Sequence, residues 1–220
     1  MISSARHSLK QFKYELDFVR LKSDSFSLPL HLDLWFRDRV IGQSPLKAGF
    51  PWINYLVIQF LHHYLKPNMR VLEFGAGGSS VFFLKRKVNL FSIEHEESWL
   101  KKVHENLAPK YLKNWTPSPI PYSTPTGQVP LAQDYLSSIE SIDDSSIEIA
   151  LIDGRHRVEC IRKSIVKIKP GGLLILDNSD RTEYAPAYQI LNKWSLKETA
   201  CITNASNDVT PAAIWFKPTN

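Results

Sequence analysis

The strongest structural signal in the chain lies at residues 70–80, which read Arg-Val-Leu-Glu-Phe-Gly-Ala-Gly-Gly-Ser-Ser. Residues Arg70–Phe74 form a short apolar run typical of a buried strand, and the glycines that follow predict a tight turn. A helix is expected from Ser80 to Lys87. Glycines in such a turn let a ligand come close to the backbone, and the helix N-terminus beyond it offers N–H groups to that ligand. We therefore predict a strand, a ligand-binding turn and a helix.

Strand-like and helix-like segments alternate along the rest of the chain. Further strands are predicted at 89–94, 147–152, 173–176, 196–202 and 212–216, and further helices at 51–65, 97–107, 131–139, 158–168 and 184–194. Residues 113–130 contain five prolines, which predict an extended loop with at most one short strand. This alternation predicts an α/β fold in which helices cover both faces of a parallel sheet. Residues 1–50 are interpreted as an N-terminal helical extension or lid, and residues 51–220 as the main domain.

Composition and charge exclude several classes of protein. The chain has 220 residues, 43% hydrophobic and 22% charged, which fits one globular domain and excludes disordered and fibrous proteins. Cys160 and Cys201 match no zinc-site spacing and are too few for a disulfide framework, so we expect a cytoplasmic protein. The N-terminus lacks a signal-peptide core, and residues 52–65 are too short and polar to span a membrane. The net charge of +5 is scattered along the chain and does not predict a nucleic-acid partner.

An acidic residue at the end of the second predicted strand sharpens the prediction of a ligand. Glu94 follows Gly75 by about 20 residues, the spacing at which a carboxylate accepts hydrogen bonds from ribose hydroxyls in nucleotide-binding sheets. In open parallel sheets, ligands bind at the carboxyl ends of the strands. The glycine-rich turn and Glu94 together predict a cofactor that contains adenosine.

Further features distinguish this turn from a dinucleotide-binding one. A dinucleotide fingerprint has glycine at the sixth motif position, where this chain has Ser80. Glu73 stands two residues before the first glycine, and Pro170-Gly171-Gly172 leads into the fifth strand. With these features, residues 51–220 resemble the class I S-adenosylmethionine-dependent methyltransferases. The resemblance implies a Rossmann-like, doubly wound, mostly parallel seven-stranded sheet with helices on both faces.

The same resemblance assigns contacts to S-adenosylmethionine. Gly75 and Gly77 would pass under the methionine end of the cofactor, and Glu94 would bind the ribose hydroxyls. Glu73 would hold the turn or the ammonium group, and Asp134 is a candidate for the adenine contact. The predicted cofactor-binding residues are Glu73, Gly75, Gly77, Ser79, Glu94 and Asp153.

Polar residues after the fourth and fifth strands predict the substrate end of the site. Asp153 follows the fourth strand, and Asp177 and Asn178 follow the fifth. Adjacent strand ends lie about 4.8 Å apart, so these oxygen ligands can converge on Mg²⁺ or a similar divalent cation. This arrangement resembles that of metal-dependent O-methyltransferases. The alternative is a metal-free site in which His156 is the general base, beside a catalytic Asp153.

Several functions stay open from the sequence. The favoured one is methyl transfer to an oxygen of a small molecule, which would be anionic if Arg155, Arg157 and Arg181 clamp a carboxylate or phosphate. An NAD(P)-dependent oxidoreductase is the first alternative. A nucleic-acid-modifying enzyme or a non-catalytic S-adenosylmethionine-binding protein is the second. DNA amino-methylating enzymes carry an Asn/Asp-Pro-Pro-Tyr/Phe motif after the fourth strand, where this chain reads Asp-Gly-Arg-His at 153–156.

Overall fold

Seven strands form one sheet in the order β3-β2-β1-β4-β5-β7-β6. The structure is a computed structural model that describes residues 41–120, 132–203 and 209–219. Strands β1 to β5 run parallel, and β7 is antiparallel to both β5 and β6. The strands are β1 (Arg70–Phe74), β2 (Asn89–Glu94), β3 (Trp115–Pro119), β4 (Ile147–Ile152), β5 (Ile168–Asp177), β6 (Ser195–Ile202) and β7 (Val209–Phe216). The predicted mostly parallel seven-stranded sheet is confirmed.

Helices connect the strands and cover the sheet. They are α1 (Pro45–Ala48), α2 (Tyr55–Tyr64), α3 (Gly78–Lys85), α4 (Glu97–Glu105), α5 (Pro109–Leu112), α6 (Ala132–Ser137), α7 (Arg157–Lys167) and α8 (Ala185–Ile190), with a 3₁₀ turn at Thr182–Tyr184. Within the described ranges, every helix falls short of the length and apolarity that crossing a membrane requires.

The core lies on both faces of the sheet because consecutive residues of a strand point in opposite directions. Val71 belongs to the cluster under α2, α3 and α4, whereas Leu72 belongs to the cluster under α6, α7 and α8. Both side chains are fully buried, as are their neighbours Ile149 and Ala150 on β4. This two-sided burial explains why the central strands read as continuous apolar runs instead of alternating ones.

Local hydrogen bonding shifts several element bounds from the predicted ones. Helix α2 begins at Tyr55 and not at residue 51, because the Asn54 side chain accepts a hydrogen bond from Val57 N at 3.1 Å and caps the helix. Strand β3 forms inside the proline-rich segment, where its position at the sheet edge tolerates Pro117 and Pro119. Strand β5 takes in the Pro-Gly-Gly segment, and the helix predicted at 184–194 ends at Ile190.

Part of the predicted N-terminal extension packs against the glycine-rich turn. Residues 1–40 lie outside the described residues, but α1 and Phe50 contact the start of α3. A Cβ atom on Gly78 would overlap the Phe50 carbonyl oxygen and lie 2.6 Å from the Pro45 carbonyl oxygen. The glycine at 78 is therefore required by this close packing.

Candidate functional site

The carboxyl ends of β1, β2 and β4 meet around a cavity at the point where the strand order reverses. Strand β1 pairs in parallel with β2 on one side and with β4 on the other, so the chain leaves β1 at the middle of the sheet. In sheets of this kind, the reversal of strand order opens the crevice in which ligands bind. The cavity has a volume of about 290 Å³ and is lined by Gly75, Ala76, Glu94, His95, Asp153, Gly154, Arg155 and Arg157. We call it the central cavity.

The glycines of the β1–α3 turn have different reasons for being glycine. Gly75 has φ +95°, and a Cβ atom there would lie 3.0 Å from the Asp153 carbonyl oxygen, so both conformation and packing against β4 require glycine. At Gly77 the backbone is extended, and the nearest described atoms to a Cβ would be in the Trp99 indole, 3.9 Å away. Packing within the described part of the chain therefore leaves the glycine at 77 unexplained.

Glu94 lies at the wall of the central cavity and is held there by backbone donors. Its Oε1 accepts hydrogen bonds from the N–H groups of His95 (2.8 Å) and Glu96 (2.9 Å), and its Oε2 accepts one from Ala76 N (3.0 Å). Burial alone would raise the pKa of Glu94, but these hydrogen bonds and the His95 side chain bring the pKa below its ordinary value. Glu94 is therefore a fixed carboxylate, and its Oε2 retains capacity for a further donor.

Glu73 is buried beneath the turn and outside the lining of the central cavity. Its Oε1 accepts hydrogen bonds from the hydroxyl groups of Ser80 and Ser92, the latter at 2.6 Å. Burial raises the pKa of Glu73 to about 7, although the hydroxyl groups of Ser79, Ser80 and Ser92 oppose the rise. Of the two roles predicted for Glu73, this geometry favours holding the turn, and it places Ser79 beside Glu73 in that role.

Arg157 lies where the sequence predicts a divalent cation. Its Nη2 donates to Asp153 Oδ1 at 2.8 Å, and its Nη1 donates to the Asp177 carbonyl oxygen at 2.6 Å and to Asn178 Oδ1 at 3.3 Å. The guanidinium side chain is 9% exposed and joins the ends of β4 and β5. Asp153 and Asn178 direct side-chain oxygens at this arginine, whereas Asp177 contributes its backbone carbonyl oxygen.

The two aspartates at this point carry raised pKa values. Burial raises the pKa of Asp177, the charge of Asp153 raises it further, and Asp177 Oδ1 has no hydrogen-bond partner among the described residues. Burial also raises the pKa of Asp153, while the Arg157 guanidinium opposes the rise. The positive charge of Arg157 therefore offsets only part of the cost of burying Asp153 and Asp177 in their charged forms.

His156 caps α7 from a left-handed backbone conformation with φ +49°. It contributes to a second cavity, of about 530 Å³, which adjoins the central cavity through Gly154, Arg155 and Arg157. Its ring lies 6.2 Å from the ring of Tyr135, measured between centroids. His156 and Asp153, the two predicted catalytic residues, thus line neighbouring cavities.

Solved structures resemble this chain, although no protein-family model matches it and the search of curated proteins found no match. The cofactor-bound protein Rv0187 from MTB has a TM-score of 0.55 and 15% identity, with 89% of this chain and 100% of that chain covered. An rRNA methylase from Streptococcus thermophilus has a TM-score of 0.54 and 15% identity, covering 74% of this chain and 95% of that one. The chain has the class I methyltransferase fold. Identities this low show the fold alone.

Within the methyltransferase fold, the predicted metal ligands need correction. A divalent cation on Asp153 Oδ1 and Asn178 Oδ1 would lie against the positive charge of Arg157, which already donates to both oxygens. The described residues also contain no cluster of three or more His, Cys, Asp or Glu side chains suited to a metal ion. The donor set therefore does not fit a divalent cation, and Arg157 supplies the positive charge instead.

Sequence reasoning missed three residues that shape the site of this methyltransferase fold. Arg157, predicted as a substrate clamp, forms an ion pair with Asp153, and because Asp153 precedes α7, the i, i+4 spacing of helical ion pairs does not signal it. Trp99 donates from Nε1 to the Ala76 carbonyl oxygen at 2.8 Å and fixes the turn. The buried Tyr135 packs closely on Gly154, because a Cβ atom on Gly154 would overlap the Tyr135 hydroxyl group.

Asp134, the residue predicted as a candidate for the adenine contact, is exposed and lines neither cavity.

Proposed function

We propose that the protein transfers a methyl group from S-adenosylmethionine to an oxygen atom of a small molecule. The observation that carries this proposal is the glycine at position 77, which follows Ala76, the residue whose N–H group donates to Glu94. Packing in the described chain does not require that glycine, whereas a ligand lying against the backbone does. Glu94 offers a fixed carboxylate of the kind that accepts ribose hydroxyl groups.

The residues around the central cavity fit the parts of S-adenosylmethionine. Gly77 leaves the backbone open for the methionine end of the cofactor, Gly75 lines the central cavity beside it, and Glu94 Oε2 can accept a hydrogen bond from a ribose hydroxyl. Asp153, the residue directly after β4, lines the same cavity as Glu94. The fold shared with a cofactor-bound protein is consistent with this use of the same strand ends.

The bound sulfonium supplies an activated methyl group, so the protein has to align the acceptor and take its proton. His156 lines the neighbouring cavity and has the residue type best suited to proton transfer near neutral pH. Asp153 is the second candidate, because its raised pKa brings a carboxylate closer to the range in which it can act as a base. Arg157 positions Asp153 and stabilises its charge.

Methyl transfer from labelled S-adenosylmethionine to a panel of small hydroxylated compounds tests the proposal. We expect labelled product in the presence of EDTA at an undiminished rate, because Arg157 takes the place of the cation. His156→Ala is expected to lower kcat by about 10²-fold or more, the usual contribution of a general base. His63→Ala, an exposed histidine on α2, is the matched control and should not alter kcat.

Three results would each contradict a different part of this proposal. Loss of turnover on chelation would show that the reaction needs a metal ion and that Arg157 does not take its place. A normal kcat in His156→Ala with a large loss in Asp153→Asn would move the base to Asp153. Failure of every acceptor to receive the label would count against methyl transfer itself.

A further inference from the structure

Arginines dominate the second cavity, which we call the arginine pocket. It has a volume of about 530 Å³, within the range of small-molecule sites. It lies between the start of α7 and the 3₁₀ turn that follows β5. The residues that line it are Gly154, Arg155, His156, Arg157, Val158, Glu159, Arg162, Arg181, Glu183, Tyr184 and Pro186. Four arginines thus face one concave surface against two glutamates.

One arginine in this pocket is paired with a carboxylate among the described residues, and the other three are not. Arg157 is engaged by Asp153 and by the backbone of β5. In the part of the chain that the structure describes, no carboxylate lies within ion-pair distance of Arg155, Arg162 or Arg181. Three guanidinium groups of the same sign therefore share one surface without a described counter-charge in contact.

Arg181 is held in position by neutral groups. Its Nη2 donates to Asn178 Oδ1 at 3.3 Å, and its Nη1 lies 3.5 Å from the Tyr184 hydroxyl oxygen. Its guanidinium carbon lies 5.9 Å from the centre of the Tyr184 ring, which is itself buried. Holding an arginine by neutral partners keeps its charge available while removing part of the entropy cost of ordering it on a ligand.

We infer that the arginine pocket binds an oxyanion group of the methyl acceptor, a carboxylate or a phosphate. Guanidinium groups match the oxygen atoms of both anions and can donate to them in pairs. The pocket shares the lining residues Gly154, Arg155 and Arg157 with the central cavity, so an anion bound there places the rest of a small molecule beside the cofactor site. This inference rests on the proposed function and names its substrate class: a small anionic compound.

The pocket adjoins the proposed catalytic groups closely enough to select the acceptor. Arg155 and Arg157 line both cavities, and His156 lies between them in sequence. An acceptor held by its anion therefore presents its hydroxyl group beside His156 and Asp153. Compounds that lack the anion lose this alignment, which we expect to raise KM and lower kcat together.

NMR titration of the arginine Nε–H signals with inorganic phosphate, and separately with acetate at the same ionic strength, tests the pocket. We expect saturable shifts with at least one anion, and the difference between the two anions shows which oxyanion the pocket prefers. Arg155→Gln, Arg162→Gln and Arg181→Gln should each raise the Kd by about tenfold, the effect of losing one charge-assisted hydrogen bond. Lys163→Gln is the matched control, because Lys163 is exposed on the same helix as Arg162 but lies outside the pocket lining.

Three outcomes overturn the inference. The first is an increase in the Kd for phosphate in Lys163→Gln as large as that in Arg162→Gln, since phosphate binding would then depend only on net charge. The second is the lack of a saturable shift with either anion. The third is tight binding of an RNA oligonucleotide that depends on Arg162, which would make the pocket part of a nucleic-acid surface.

Calorimetry with S-adenosylmethionine separates this inference from the proposed function. The cofactor's affinity should be unchanged in Arg162→Gln and Arg181→Gln, because neither side chain lines the central cavity. If phosphate binding is saturable and depends on the pocket arginines, but the wild-type protein does not bind S-adenosylmethionine, the anion pocket is supported and the proposed methyl transfer is overturned. If S-adenosylmethionine binds but the phosphate pattern is absent, only the pocket is overturned.

Discussion

Glu73 and Glu94 are buried carboxyl groups on neighbouring strands, and their pKa values are shifted in opposite directions. Glu94 accepts hydrogen bonds from three backbone N–H groups, and the His95 side chain together with the N–H groups of Glu96 and Ala76 brings its pKa below the ordinary value despite burial. Glu73 receives only hydroxyl groups, and burial raises its pKa to about 7. The charged carboxylate therefore faces the cavity, and the more easily protonated one lies beneath the turn.

Glu73→Gln is expected to change how stability depends on pH. The raised pKa means that folded Glu73 keeps a proton that the unfolded chain releases above pH 4.5, so this group stabilises the wild type less as pH rises towards 8. Glutamine stays neutral at every pH. The unfolding free energy of Glu73→Gln, relative to that of the wild type, should therefore rise by up to about 3 kcal/mol between pH 4.5 and pH 8. Urea unfolding across this range measures the shift.

The control for this prediction is Glu140→Gln, which makes the same charge change at an exposed turn. Its profile reports the effect of net charge alone and is subtracted. Parallel stability profiles for Glu73→Gln and the wild type would show that Glu73 is ionised in the folded protein at neutral pH.

The β1–α3 turn places two adjacent glycines under different constraints, which makes them a matched pair. An alanine at 77 would meet only the Trp99 indole at 3.9 Å, whereas an alanine at 78 would overlap the Phe50 carbonyl oxygen. We expect Gly77→Ala to cost at most about 1 kcal/mol of stability, and to lower affinity for S-adenosylmethionine at least tenfold. We expect Gly78→Ala to cost about 1–3 kcal/mol through overpacking.

Thermal unfolding and cofactor calorimetry on the same two variants measure this contrast. A Gly77→Ala protein that binds S-adenosylmethionine as tightly as the wild type would mean that no ligand passes over that backbone. A fully stable Gly78→Ala protein would mean that α1 and Phe50 do not pack on α3 in solution.

The elements that could be predicted are those whose pattern is local. Strands β1 and β4 are buried on both faces, and their apolar runs alone identify them. The bounds of α2 could not be predicted, because its start depends on the Asn54 side chain, which also donates to Thr210 O on β7. Strand β3 is the one short strand that the proline-rich segment allows, but its position could not be predicted, because its prolines are tolerated only at a sheet edge and edge position is a property of the whole sheet.

Across the molecule, the positions of the residues that follow β1 and β2 could be predicted, whereas the contacts between the ends of β4 and β5 could not. Gly75 and Glu94 follow their strands at fixed spacing, so sequence distance determines their place at the sheet edge. The placement of Asp153 and Asp177 at the ends of adjacent strands could be predicted in the same way. What fills the space between them depends on the direction of Arg157, which reaches back from α7 to the ends of β4 and β5. Side-chain direction at a helix start is not encoded in spacing.

The most direct test of the central claim is a calorimetric titration of the wild-type protein with S-adenosylmethionine and, separately, with NAD⁺. The account predicts saturable one-to-one binding of S-adenosylmethionine and none of NAD⁺. It also predicts a loss of affinity of about tenfold or more in Glu94→Gln, but not in Glu96→Gln, an exposed carboxylate two residues later. Binding of NAD⁺ without S-adenosylmethionine, or equal cofactor affinity in the wild type and Glu94→Gln, would contradict it.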